Sequence, residues 1–271
     1  MAAEESLREG KLEQALTELQ DRVRRDPANA KYRIFLFQLL AVMGQWSRAA
    51  TQLELSGELD SGALVMVQAY REALRCEVFR GEVFSGERTP LLFGQPEQWM
   101  AMMVEAVRLS AGGHVSQAQE LRAQAFESAP VTSGTIDGKR FEWIADADTR
   151  FGPILEAVVN GGYYWIPYQY IQKVQIDEPV DLRDSVWMPA HFVWANGGDS
   201  VGLIPTRYPG SEVNEESSIR LARRTEWIDH GNDYYTGLGQ RMLTTDAGEY
   251  PLLDVRLIDL DTEQTENSSG G

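Results

Sequence analysis

Asp146, Asp148 and Arg150, in Ala-Asp-Ala-Asp-Thr-Arg-Phe-Gly-Pro, come closest to a chemical constellation in this 271-residue chain. Alternating acids on an extended segment point to one side, as metal ligation or general acid/base work requires. The same spacing also suits an internal salt-bridge network. One Asp would then pair with Arg150 or Arg183 while the other caps a turn, and this is the preferred reading. Gly198-Asp199-Ser200-Val201-Gly202 matches G-x-S-x-G. A nucleophile elbow needs its serine on a sharp turn from strand into helix. Here Ser200 follows an Asn-Gly-Gly turn and leads into Val-Gly-Leu-Ile-Pro, which reads as a strand. His230, beside Asp229, is not placed near it by any sequence feature. The three histidines, His114, His191 and His230, show no metal-ligand spacing. Gly237-Leu-Gly239 alone is no phosphate or dinucleotide loop. Cys76 sits within a predicted helix without a cue for activation. No catalytic residue, metal or cofactor is therefore expected.

The elements that would position these residues fall into two textures. Residues 1–130 read as helices near 2–9, 11–25, 30–43, 45–55, 61–80, 97–111 and 114–128. Leu12, Leu16, Leu19 and Val23 recur at helical spacing with charges between them. Gly10, Ala15 and Leu19 lie 34 residues before Gly44, Ala49 and Leu53. Gly10 precedes Pro27 by 17 residues, as Gly113 precedes Pro130. That period is the tetratricopeptide length, in which a small residue lets paired helices approach and Gly turns the chain. A short helical pair cannot bury its apolar face alone, so pairs must stack. The stretch 82–96 is too rich in Gly and Pro to continue a helix and interrupts the third repeat. Such arrays present a concave face to a peptide or helix. By repeat position Lys31, Ile34, Phe35, Gln38, Tyr70, Arg71 and Leu74 are the partner-binding candidates, with core packing as the alternative for the apolar ones.

After Pro130 glycines and prolines crowd in and helical periodicity disappears. Two hairpins are expected: 154–159 with 163–166 around Asn160-Gly161-Gly162, and 191–195 with 200–204 around Asn196-Gly197-Gly198. Short helices are expected at 168–175 and 215–222, and a last strand at 252–260. Trp143, Trp165, Trp187 and Trp194, with Tyr163, Tyr164, Tyr168 and Tyr170, form an aromatic cluster read as core rather than ligand surface. The fold expected is α+β: a tetratricopeptide-like helical domain (1–130), a small mixed domain with an antiparallel sheet (131–262) and a flexible tail (263–271).

Composition narrows the partners. Forty-one acidic against 25 basic residues give a net charge of −16. Residues 1–130 hold 18 acids and 14 bases, a balance of −4, leaving −12 for the remainder. So acidic a chain is repelled by phosphate backbones and anionic lipid, which argues against nucleic acid or membrane and for a basic or amphipathic protein partner. The acidic start MAAEESLREG lacks the basic flank and apolar core of a secretory signal. A single cysteine fits a reducing compartment, so a cytoplasmic location is expected.

Longer strings carry a family resemblance over nearly the whole chain. They are Phe-Leu-Phe-Gln-Leu-Leu-Ala-Val-Met-Gly (35–44), Phe-Gly-Gln-Pro-Glu-Gln-Trp (93–99) and Asp-Gly-Lys-Arg-Phe-Glu-Trp-Ile-Ala-Asp-Ala-Asp-Thr-Arg-Phe-Gly-Pro (137–153). Asp-Leu-Arg-Asp (181–184), Ile-Pro-Thr-Arg-Tyr-Pro-Gly-Ser (204–211), Arg-Thr-Glu-Trp (224–227) and Gly-Leu-Gly-Gln-Arg (237–241) continue it. The chain resembles the ImpE family, also called TagJ, accessory proteins of the bacterial type VI secretion system. The resemblance implies a cytoplasmic, non-enzymatic adaptor that binds the N-terminal helix of the small contractile-sheath subunit. It also implies a bearing on sheath recycling by the AAA+ ATPase ClpV, and it transfers no catalytic residues. The competing reading is an enzyme or small-ligand receptor built on Asp146, Asp148 and Arg150.

Overall fold

The structure, a computed structural model, describes residues 2–262; the expected tail at 263–271 lies outside the described residues. Seven helices come first: α1 (Ala2–Arg8), α2 (Leu12–Arg25), α3 (Ala30–Val42), α4 (Trp46–Leu59), α5 (Leu64–Phe84), α6 (Gln98–Ala111) and α7 (Val115–Ser128). Helix α5 starts at 64 rather than 61 and runs to 84, so the expected break at 82 comes later. The repeat glycines act through their backbone. Gly10, Gly44 and Gly113 all have positive φ, at +76°, +66° and +81°. After each, the next amide reaches back five residues: Lys11 to the Ser6 carbonyl, Gln45 to Leu40, His114 to Leu109, at 2.8–2.9 Å. This left-handed turn closes a helix end and needs a residue without a Cβ, which explains why Gly recurs in register.

Strands follow: β1 (Leu91–Leu92), β2 (Gly134–Ile136), β3 (Lys139–Phe141), β4 (Ile144–Asp146), β5 (Ile154–Val159), β6 (Gly162–Pro167), β7 (Ile171–Ile176), β8 (Trp187–Trp194) and β9 (Asp199–Pro205). A short helix α8 (Ser217–Arg220) precedes β10 (Thr225–Asp229), β11 (Tyr235–Gly239), β12 (Met242–Thr245), β13 (Gly248–Pro251) and β14 (Leu257–Leu260). The main sheet has nine strands in the order β1-β6-β5-β9-β8-β7-β14-β2-β3, beside a three-stranded β13-β12-β4 and a two-stranded β10-β11. Only β1 pairs in parallel. The architecture is thus α+β, as expected.

Both expected hairpins form, as β5–β6 and β8–β9. Three expectations need correction. The helix at 168–175 is a three-residue 3-10 turn followed by β7. The strand at 252–260 is shortened to Leu257–Leu260 by a 3-10 turn over Leu252–Asp254, where the Leu252 amide bonds the Arg241 carbonyl. The helix at 215–222 contracts to Ser217–Arg220.

One apolar cluster lies wholly on the sheet side, joining Leu155, Ile166, Val174, Phe192 and Ile204 of the main sheet to Leu243 and Leu252. The other two clusters mix the helices with the sheet. Tyr70 and Leu40 share one with Trp187, and Met100, Met103 and Val83 share the other with Trp165 and Tyr163. Trp187 is completely buried. Its ring lies 6.1 Å from that of Trp46 and 5.7 Å from that of Tyr70, and its indole N–H donates to Glu77 at 2.9 Å. Trp187→Ala should therefore cost about 3–5 kcal/mol, and it also leaves a Glu77 oxygen without its donor. Urea unfolding measures this, and an unchanged midpoint would show that the helices and sheet are held by something else.

Candidate functional site

The Asp146–Arg150 segment leaves β4 and turns back before β5, so its acids point into the protein. Asp148 is completely buried and Asp146 is 3% exposed. Asp148 accepts from the Arg150 guanidinium at 2.5–3.1 Å and from the amides of Arg150 and Gly237 at 2.9 and 2.8 Å. Asp146 accepts from the Asp148 amide and the Tyr208 hydroxyl, each at 2.9 Å, and from the Arg241 guanidinium. The three residues are thus brought together as an internal network.

That network is larger than the sequence suggested. Arg241, completely buried, also donates to Glu156 and, through Nε, to the Pro205 carbonyl at 3.0 Å. Glu156, in the middle of β5, accepts further from Arg80 of α5 and from the Tyr163 hydroxyl. Arg80 continues to the Arg207 carbonyl at 2.8 Å and to Glu77 at 3.4 Å. Arg207 in turn reaches the carbonyls of Val42 and Arg220. Four guanidiniums (Arg80, Arg150, Arg207, Arg241) and four carboxylates (Glu77, Asp146, Asp148, Glu156) therefore sit in one neutral buried set. Aromatic rings cover the cations: the Arg241 guanidinium lies 4.7 Å from the centre of the Phe151 ring and the Arg150 guanidinium 5.3 Å from that of Phe84. Sequence reasoning missed Glu77, Arg80, Glu156, Arg207 and Arg241. The available signal was a lone Glu inside the apolar strand ILEAVV, where a carboxylate requires a buried cation.

Burial governs the titration here. It pushes the Asp146 carboxyl up to about 6 against the pull of Arg241, and lowers Arg207 to about 10. The Cys76 thiol, also buried, is pushed up to about 11, far from an activated thiolate. Ser200 accepts from the Trp194 indole N–H at 3.2 Å and donates to the Asp199 carbonyl at 2.7 Å. His230 bonds Thr236 and stacks on Tyr234, while His191 pairs with Asp199. Ser200 and His230 thus have separate partners, and no nucleophile–base pair is assembled from them. Among the described residues no group of three or more His, Cys, Asp or Glu is placed to hold a metal ion.

The repeat-face residues separate by burial. Lys31 and Arg71 are exposed, Arg71 paired at 2.6 Å with Glu54. Ile34 and Phe35 are half-buried. Gln38, Tyr70 and Leu74 are buried. They are covered from within the chain: Tyr70 packs on Trp187 and lies under the Arg183 guanidinium at 4.7 Å. The segment 181–187 overlies one side of Tyr70, whose other side borders a groove with Val65, Ala69 and Val201. Of the aromatic cluster, Trp165, Trp187 and Tyr168 are core while Trp143 is 39% exposed.

Two outcomes follow. Glu156→Gln leaves Arg80 and Arg241 without their shared counter-charge and should cost about 3–5 kcal/mol at neutral pH, read as a lower urea midpoint; an unchanged midpoint would contradict a shared role. Asp146 has a carboxyl pKa raised to about 6 in the folded state, against about 3.9 unfolded. Its proton-linked stabilisation is complete below the lower value and lost as pH rises through the higher. Asp146→Asn fixes the neutral form. The stability margin of the natural protein over Asp146→Asn should therefore widen between about pH 6 and about pH 4, and a margin that narrows on acidification would contradict the assignment.

The sequence model of the family described as ImpE protein matches residues 138–259. The type VI secretion system accessory component TagJ of Pseudomonas aeruginosa is 51% identical over 266 residues, covering 98% of this chain and 92% of that one. An X-ray structure of a Vibrio parahaemolyticus protein shares the fold with a TM-score of 0.88 at 24% identity, over 97% of this chain and 98% of that chain. With half of its residues shared with TagJ from end to end, and with the ImpE signature across its sheet, the chain belongs to the ImpE/TagJ family of type VI secretion accessory proteins.

Proposed function

We propose that this protein is a non-enzymatic, cytoplasmic adaptor of the type VI secretion system. It binds the N-terminal helix of the small contractile-sheath subunit and so bears on sheath handling by ClpV. The observation that carries this reading is the inward pairing of Asp146, Asp148 and Arg150, the residues closest to a chemical constellation. Asp146, Asp148 and Arg150 satisfy one another, Tyr208 and Arg241, which supports a structural duty for them in a protein whose relative is an accessory component. An enzyme or ligand receptor at this cluster would instead want carboxylates open to a cavity. No helix among the described residues is long and apolar enough to cross a membrane, and the balance of −16 favours a partner segment with basic residues.

Calorimetric titration with a peptide of the small subunit's N-terminal helix, and with the intact subunit, tests the proposal. Micromolar or tighter binding that weakens as salt is raised is expected, because screening removes the attraction of an acidic surface. Absence of binding to both would contradict the adaptor.

A further inference from the structure

The ribbon β10–β11 forms a sheet of its own, and its two edges differ. On β11 every second residue turns its backbone away from β10. The Tyr235 carbonyl accepts from the Thr149 amide at 3.1 Å, and the Gly237 amide donates to Asp148 at 2.8 Å. The Gly239 amide donates to the Ser211 hydroxyl at 2.8 Å. The bond to Asp148 ties the ribbon to the buried charge network. In an antiparallel ladder hydrogen-bonded and non-hydrogen-bonded pairs alternate. The residues opposite these three, Asp229, Trp227 and Thr225, therefore hold the non-hydrogen-bonded positions of β10. Their N–H and C=O groups point away from β11, and no hydrogen bond among the described residues reaches any of them. An edge of this kind is commonly blunted by a bulge, a proline, a lysine or a covering loop. β10 has none of these. Its register to β11 is regular, its sequence is Thr-Glu-Trp-Ile-Asp, and Trp227 and Ile228 are 40% and 44% exposed.

We propose that β10 receives an extended, lysine- or arginine-bearing segment of a partner protein as a third strand of this ribbon. The inference goes beyond the adaptor reading and does not depend on it. The occupant is extended because the edge offers backbone donors and acceptors, and a helix has already spent its own. Its amides and carbonyls pair with those of Thr225, Trp227 and Asp229. Its alternate side chains lie beside Trp227 on one face and beside Glu226 and Ile228 on the other. Charge selects the sequence. Asp229, and Asp233 in the turn beyond it, are exposed and have no ion pair among the described residues. Arg224, the cation that precedes the strand, is already shared between Glu216 and Glu226. This acidic border turns away another acidic strand, including that of a second copy with its charge of −16, and admits a basic one.

The test is amide exchange of the full chain, read by NMR, with an N-acetylated hexapeptide of alternating valine and lysine. In the free protein the amides of Thr225, Trp227 and Asp229 should exchange fast and those of Glu226 and Ile228 slowly. The peptide should slow the first three. Fluorescence titration of the labelled peptide into Trp227→Ala and Trp227→Pro then separates backbone from side chain. Both variants lose the ring that lies 5.6 Å from that of Tyr208, so their melting temperatures should match each other. Proline further removes the outward amide, a loss that an edge strand tolerates. Trp227→Pro should bind about tenfold more weakly than Trp227→Ala. Equal binding by the two variants would overturn the proposal, because the edge amide would then carry none of the affinity. Equal binding of a peptide alternating proline and lysine would overturn it too, leaving charge alone as the attraction. So would the absence of any slowing at Thr225, Trp227 and Asp229. Slowing of these amides with rising protein concentration, without peptide, would give the edge to a second copy and equally overturn it.

Discussion

Arg241 is sealed from water, where a charge can persist only with its counter-charges fixed around it. Removing a guanidinium from water costs several kcal/mol on any realistic scale, and Arg241 is completely buried. Its two nitrogens reach Asp146 of β4 and Glu156 of β5, and Glu156 hands the connection to Arg80 of α5. One chain of charge-assisted bonds therefore runs from the small sheet through the main sheet into the longest helix. Since each member leaves a buried charge behind if another moves, α5 has one permitted position relative to the sheet. Such networks are weak as net stabilisers and strong as specifiers of geometry. Arg207, bonded to the carbonyls of Val42 and Arg220, extends the same constraint to the end of α3 and to α8.

This geometry accounts for both what the protein buries and what it leaves open. With α5 held over β5, its Cys76 and Val83 are in the core shared with the sheet, while Val67, Tyr70 and Leu74 of its earlier turns are buried in the core around Trp187. Trp187 and the turn that precedes it pack into the core of the first five helices. Part of the helices' apolar surface is thus used within the chain, while Ile34 and Phe35 stay half-buried. Exposed Val65 and Val201 remain at the surface of a molecule with a net charge of −16.

Much of the fold was legible because it depends on local rules. Gly10, Gly44 and Gly113 announce helix ends by a conformation that few other residues tolerate. Asn160-Gly161 and Asn196-Gly197 announce the two hairpins through the same physics. The missed strand β7 shows where a local rule fails. Ile171, Val174 and Ile176 are its buried residues, and the register shift between Ile171 and Lys173 inserts an extra residue that disguises an alternating pattern as a helical one. The candidate site was half legible. The spacing of Asp146, Asp148 and Arg150 correctly marked a cluster of mutual partners. Arg241 and Arg80, 95 and 66 residues away from Asp146 in sequence, could not be joined to it by any pattern of period two or 3.6. The packing of Tyr70 against Trp187 is equally non-local and leaves no mark in the repeat period.

Hydrogen exchange of the natural protein and of Glu156→Gln tests the charge-locked frame most directly. In the natural protein the amides around Asp146, Glu156 and Arg241 should be among the slowest, and in the variant exchange should quicken both there and along α5. Fast exchange around Asp146, Glu156 and Arg241 in the natural protein, or quickening in the variant confined to β5, would contradict it.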